Sequence, residues 1–234
     1  MCGRFTQKYT WQEAAEFYGL NQTPRNIRPA YNICPTDLVS VVIPDGGSPF
    51  VMPMRWGLIP RWWSKSLKEL PATFNARVET VAQKPMFRDA FRRTRCIIPA
   101  SGYYEWQITA DGKQPYYISP RNGSVLSFAG LWDEWHDRVN NETIASCTVI
   151  VTDANSFTRA IHDRMPVILE REKVGAWLSG EAGTELLKPA PDDALQMWPV
   201  SKRVGKPGNT EDAGLIEPLT LQSPTPAQRR LLLH

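Results

Sequence analysis

The chain has no run of about eighteen apolar residues, which excludes a membrane-spanning helix. Its opening, MCGRFTQKYT, carries Arg4 and Lys8 with no apolar stretch behind them, so it does not read as a secretory leader. A cytoplasmic protein is expected, nucleoid-associated if the host is bacterial. Cysteine is scarce: Cys2, Cys34, Cys96 and Cys147 are far apart, with no CxxC or CxxH pair. That spacing argues against a zinc module and against a disulfide framework, and leaves the last three as small buried apolar groups. Histidine is scarcer still, with His136, His162 and His234 alone. Neither a metal nor a cofactor is expected.

What is present is an uneven distribution of charge. The net charge is only +3, but Arg55 to Arg95 holds ten basic and three acidic residues, +7 against −4 for the remainder. Trp56, Trp62, Trp63, Phe74 and Phe87 are interleaved with them, a mixture suited to single-stranded nucleic acid, where bases stack on rings and cations follow phosphates. A helix with a solvated basic face over core aromatics accounts equally well for Phe87 to Arg95.

Twenty prolines and many short apolar runs predict a strand-rich α+β single domain with a few peripheral helices, spanning 1–218, and a C-terminal tail, 219–234, of little order. Strands are expected at Leu38–Ile43, Arg95–Pro99, Tyr103–Gln107, Tyr116–Ser119, Val125–Leu131 and Ala145–Thr152. Asp111-Gly112 signals a hairpin joining the strands of Glu105 and Tyr117. Helices are expected at Thr10–Tyr18, with a Thr cap and Glu13 at the capping-box position, at Pro85–Arg93, and at Glu170–Leu178.

Four segments carry candidate chemistry. Loss of Met1 would make Cys2 an N-terminal 1,2-aminothiol, which captures an aldehyde first as an imine and then as a five-membered thiazolidine. Its α-amine, of ordinary pKa about 7.7–8.0, is far more often neutral at pH 7 than a lysine. In Asn75-Ala76-Arg77, Asn75 can orient a carbonyl or hydroxyl and Arg77 can hold a phosphate, although a capped turn uses the same residues. In Tyr103-Tyr104-Glu105-Trp106, alternation places Glu105 on the face of Tyr103; a carboxyl among rings is desolvated and suited to proton transfer, whereas one on a solvated face is not. His162 lies in Ile161-His162-Asp163-Arg164 and can serve as acid, base or a structural group.

Seven stretches together resemble the SRAP family of abasic-site processing proteins, also known as SOS-response-associated peptidases. They are Met1–Phe5, Tyr31–Pro35, Arg55–Pro60 with Trp62-Trp63, Asn75–Thr80, Gly102–Trp106, Ile161–Val167 and Trp198–Ser201, in family order. The resemblance implies a covalent thiazolidine crosslink to the ring-opened sugar of an abasic site in single-stranded DNA, shielding the lesion during the DNA damage response. It makes Cys2 the nucleophile, Glu105 the acid/base, His162 the promoter of ring opening and Asn75 the positioning group. It makes Arg4, Arg77 and Arg164 phosphate contacts, and Trp62, Trp63 and Trp106 base-stacking walls. A monomer is expected. Tyr104 and Cys34 depart from the family's commoner residues without touching this chemistry. Two other readings use the same residues: an autoprocessing cysteine peptidase whose main reaction is Met1 removal, and a non-covalent single-strand binder.

Overall fold

The computed structural model describes residues 2–219; of the expected tail, 219–234, only Leu219 lies among them, its N–H donating to the Pro199 carbonyl at 2.8 Å. Thirteen strands and three α-helices follow in chain order among these residues. The strands are β1 (Phe5–Gln7), β2 (Ala30–Ile33), β3 (Leu38–Ile43), β4 (Phe50–Trp56), β5 (Asn75–Arg77), β6 (Arg95–Ala100), β7 (Gly102–Thr109), β8 (Gly112–Pro120), β9 (Leu126–Asp137), β10 (Glu142–Asp153), β11 (Arg164–Pro166), β12 (Ile168–Leu169) and β13 (Leu195–Pro199). The helices are α1 (Trp11–Tyr18), α2 (Arg88–Arg93) and α3 (Arg171–Ser179). The α+β, strand-rich architecture is as expected.

Two sheets organise the molecule. The smaller runs β13-β8-β7-β1-β2. The larger runs β11-β10-β4-β3-β6-β9-β12, and because β9 also pairs with β10 its pairings close on themselves, giving a barrel-like sheet. β10 is the hub, antiparallel to β9 and β11 and parallel to β4 and β5. Side chains that alternate along these strands build two cores. Val42, Ile97, Ala129 and Ile150 face the helices, against Tyr18, Phe91 and Trp177. Their neighbours Val41, Ile98, Phe128 and Val149 face Phe5, Tyr103 and Ile118 of the smaller sheet, and Cys2 lies in that second core.

Local chemistry explains the elements. Thr10 caps α1 with the full capping box to Glu13, Trp11, Ala14 and Tyr18 form its buried stripe, and Gly19 ends it at φ 68°. α3 ends the same way at Gly180, φ 80°. α2 is shorter than the sequence suggests. Its first helical residue is Arg88, and Phe87 enters through a turn bond to Lys84 instead of a proline-led first turn. The hairpin β7–β8 turns where expected, pairing Thr109 with Gly112 and Tyr104 with Tyr117. β4 was hidden in the sequence by Pro53, which lies exposed opposite Ser40 in the part of the strand that pairs with β3 alone, its pairing with β10 beginning at Arg55.

Gly102, the first residue of β7, marks a close approach. A Cβ there would lie 2.4 Å from the Tyr117 ring and 2.7 Å from the Ile118 carbonyl oxygen. Thr6 Oγ1 bridges this point, 2.9 Å from the Tyr117 hydroxyl and 3.3 Å from the Gly102 oxygen it donates to. Gly102→Ala is expected to destabilise the protein by about 1–3 kcal/mol through overpacking, read as a lower denaturant midpoint; an unchanged midpoint would show that the contact yields freely.

Candidate active site

The start of the chain is brought into the core by a short ladder. Phe5 pairs with Tyr103 and Thr6 with Gly102, and the Tyr104 N–H donates to the Arg4 oxygen at 3.0 Å. Continued two residues, this antiparallel register sets Gly3 opposite Glu105 and leaves Cys2 just beyond. Cys2 is fully buried, and its thiol lies 3.9 Å from the Arg4 carbonyl. Burial, reinforced by the nearby Glu105 charge, pushes the thiol well above its ordinary pKa, so it rests protonated. Asn75 clamps the same residue from the other sheet: its Nδ2 donates to the Cys2 carbonyl at 2.8 Å, while its Oδ1 is buried with no hydrogen-bond partner. Asn75 reaches this position because β5 runs parallel to β10, with Asn75 beside Val149.

Glu105 is only 2% exposed, so of the two environments open to it the desolvated one is realised. Burial raises its carboxyl to about 7. His162 follows a turn at Thr158–Ala160, and its Nε2 stands 3.9 Å from Glu105 Oε2. The Arg164 backbone N–H donates to His162 Nδ1 at 3.0 Å, which in the neutral ring places the hydrogen on Nε2, toward Glu105. The largely exposed Asp163 carboxylate, 3.0 Å from the same Nδ1, can accept from it only when the ring is protonated. Burial lowers the His162 pKa, which favours the neutral ring. Gly3, Arg4, Glu105, Trp106 and His162 line an open cleft of about 440 Å³.

Six sequence candidates are therefore gathered here: Cys2, Asn75, Glu105, His162, Arg4 and Trp106. Arg4 donates to the carbonyls of Gly3 and Gly205, both at 3.3 Å, and its Nε is buried without a partner. Arg77 is exposed two residues along β5 from Asn75. Arg164 is near in sequence but engaged, bonded to Glu79 and 3.3 Å from Asp153, so a phosphate there must displace carboxylates. Trp62 and Trp63 line a different cavity of about 730 Å³, with Arg61, Lys65, Lys68 and Arg138. The basic segment is accordingly divided. Its helical half is a solvated face, Arg92 and Arg93 outward and Ala90 and Phe91 inward, and Arg95 stacks between Phe91 and Trp177. Its first half meets the tryptophan cavity, where Arg61 is neutralised by Asp133 at 2.7 Å.

Residues 1–207 match the family described as SOS response associated peptidase (SRAP). The chain is 35% identical over 217 residues to the abasic site processing protein YoaM of Bacillus subtilis, covering 89% of this chain and 95% of that protein. The chain belongs to the SRAP family. It is also 29% identical to the abasic site processing protein YedK of Escherichia coli, over 94% of this chain and all of that one. A crystal structure of a Bacteroides thetaiotaomicron protein, 26% identical, superposes with a TM-score of 0.84 over 93% of this chain and all of that one.

One group in this SRAP site was not singled out from the sequence. The Tyr103 hydroxyl is fully buried with no hydrogen-bond partner, in the core that holds Cys2, and burial holds its pKa well above the ordinary phenol value. The alternation that paired Tyr103 with Glu105 on one face was the available signal. An unsatisfied buried hydroxyl costs about 1–3 kcal/mol, so Tyr103→Phe is expected to raise the melting temperature; a fall would reveal a partner gained by the hydroxyl in solution.

Glu105 makes stability depend on pH in a definite direction. Between its unfolded value of 4.5 and its folded value of about 7 the native state holds the extra proton, so stability falls as pH rises through that window. Glu105→Gln is expected to match the wild type near pH 4 and to exceed it above pH 7 by up to about 3 kcal/mol. Denaturant midpoints measured across pH 4–8.5 check this, and parallel profiles for the two proteins would refute it.

Proposed function

We propose that this protein captures abasic sites in single-stranded DNA, linking Cys2 to the opened sugar as a thiazolidine after Met1 is removed. The observation that carries the reading is the seating of Cys2: its carbonyl is fixed by Asn75, and it is buried beside a carboxyl that titrates at about 7. Relatives bearing the name abasic site processing protein at 29% and 35% identity support it.

The chemistry follows from the charge states. The α-amine of Cys2 adds to the C1′ aldehyde, and a carboxyl half-ionised near neutrality accepts a proton in this step and returns one in the next. That returned proton lets the carbinolamine hydroxyl leave as water, giving the imine. The thiol sulfur then adds to the same carbon and its proton passes to the nitrogen, so the whole sequence loses one water. Neutral His162, with Nε2–H toward Glu105, donates a hydrogen bond to oxygen developing charge as the sugar opens. The vacant Asn75 Oδ1 accepts from a sugar hydroxyl or from the amine. Arg4 and Arg77 hold flanking phosphates, and the ring of Trp106 walls the cleft. Removal of Met1, which frees the α-amine of Cys2, is a maturation step in this scheme.

Intact-mass spectrometry before and after incubation with a single-stranded oligonucleotide carrying one abasic site tests the reading. The expected result is a protein lacking Met1 that gains the oligonucleotide mass less one water, with no adduct from Cys2→Ala. Glu105→Gln should slow the adduct by about 10²–10⁴-fold and flatten the pH dependence near 7. A wild-type protein that keeps Met1 and forms no adduct would overturn the covalent mechanism in favour of non-covalent binding.

A further inference from the structure

Arg55 is not accounted for by the Cys2 site. It occupies the penultimate position of β4, half-buried, opposite Leu38 of β3 and Ser146 of β10. Its Nη1 donates to the Gly57 carbonyl at 2.5 Å. This lay-over requires glycine, because Gly57 stands at φ 131° and a Cβ there would be 2.7 Å from Nη1. Among the described residues no carboxylate lies within ion-pair distance of Arg55, unlike Arg61, Arg164 and Arg203, which pair with Asp133, Glu79 and Asp212. A guanidinium carries five N–H donors in a planar fork, and one neutral carbonyl uses one of them.

Arg55 borders a cavity of about 150 Å³ lined also by Thr36, Gly57, Thr73 and Phe74. One wall of it is strained. Thr36 is β-branched yet sits at φ 82°, held there by its N–H bond to the Trp56 oxygen at 2.7 Å. Another wall leads directly to Cys2: Trp56 Nε1 donates to the Phe74 carbonyl at 2.8 Å, and Asn75, the next residue, holds the Cys2 carbonyl. Trp56 and Phe74, whose ring centroids are 5.8 Å apart, thus belong both to the cavity wall and to the surroundings of the Cys2 clamp.

We propose that the Arg55 cavity is an anion subsite that takes a backbone phosphate of the bound single strand, connected to the Cys2 clamp through Trp56, Phe74 and Asn75. A desolvated cation without a counter-ion, beside a strained loop and an unfilled cavity, is completed by an anion that its fork can hold bidentately. The assignment of that anion to a DNA strand rests on the function proposed above.

Binding of an undamaged single-stranded oligonucleotide, which offers no aldehyde, tests the subsite across 50–400 mM salt. Arg55→Gln should reduce the slope of log K against log salt by about 0.7, the value for one phosphate on a single strand. Arg55→Lys keeps the charge and should keep the slope. Should Arg55→Gln fold poorly, arginine-selective modification of the wild type with peptide mass mapping serves instead. Arg55 should then be protected by the oligonucleotide while the exposed Arg92 is not. An unchanged slope or an unprotected Arg55 overturns the subsite. Thermal stabilisation by inorganic phosphate that Arg55→Gln abolishes, with equal slopes, would assign the cavity to a free anion and overturn the strand assignment. A wild type that forms no crosslink would defeat the proposed function; one that crosslinks while Arg55→Gln keeps the full slope would defeat the subsite alone.

Discussion

The two-residue ladder between Phe5–Thr6 and Gly102–Tyr103 is the constraint on which the site depends. It is short, yet it inserts the beginning of the chain between two sheets and sets its register against β7. Because side chains alternate, that register decides that Phe5, Tyr103 and Glu105 share one face, away from the Tyr104, Tyr117 and Val200 cluster. Cys2, beyond the end of the ladder, turns into the same core as Phe5 and Tyr103. A slip of one residue would exchange the two faces. The close contact at Gly102 and the Thr6 bridge to Tyr117 guard against it.

Electrostatics at the site follow from this burial more than from pairing. Glu105 rises, the Cys2 thiol rises and His162 falls, and desolvation is the largest cause in each case. Three groups that are ordinarily charged at different pH values are thereby brought toward neutral forms near pH 7, which suits proton exchange in a chain of small steps. Elsewhere the protein uses the opposite strategy. Arg61 with Asp133, and Arg164 with Glu79 and Asp153, are compensated pairs, and they remove positive charge from places where sequence alone suggests a free cationic surface.

Much of the β7–β8 hairpin was legible because its signals are local: a turn dipeptide, alternating rings and one carboxyl among them. The capping box of α1 was legible for the same reason. The strands β1, β2 and β5 were not, since three or four residues carry no period, and they exist only through their partners. The approach of Asn75 to Cys2 was likewise invisible locally, because a parallel pairing with β10 across more than seventy residues creates it. The family resemblance supplied that association without its geometry. The division of the basic segment was hidden too, since Asp133, which neutralises Arg61, arrives seventy-two positions later. The Tyr103 hydroxyl shows the converse, a residue placed correctly on its face whose missing partner only the packed structure reveals.

The arrangement of β10 bears on how the parts of the site move. This strand is bonded along its length to four others, so its backbone opens only when much of the fold opens. Asn75 is attached directly to it, and Glu105 rides on the long hairpin, so both belong to the slowly breathing body of the protein. His162 instead hangs from a single helical turn, with its ring about a quarter exposed. The arrangement thus joins a clamp tied to the most heavily bonded strand to an imidazole carried on a short turn, its backbone N–H held by the Thr158 carbonyl and its ring by the Arg164 N–H.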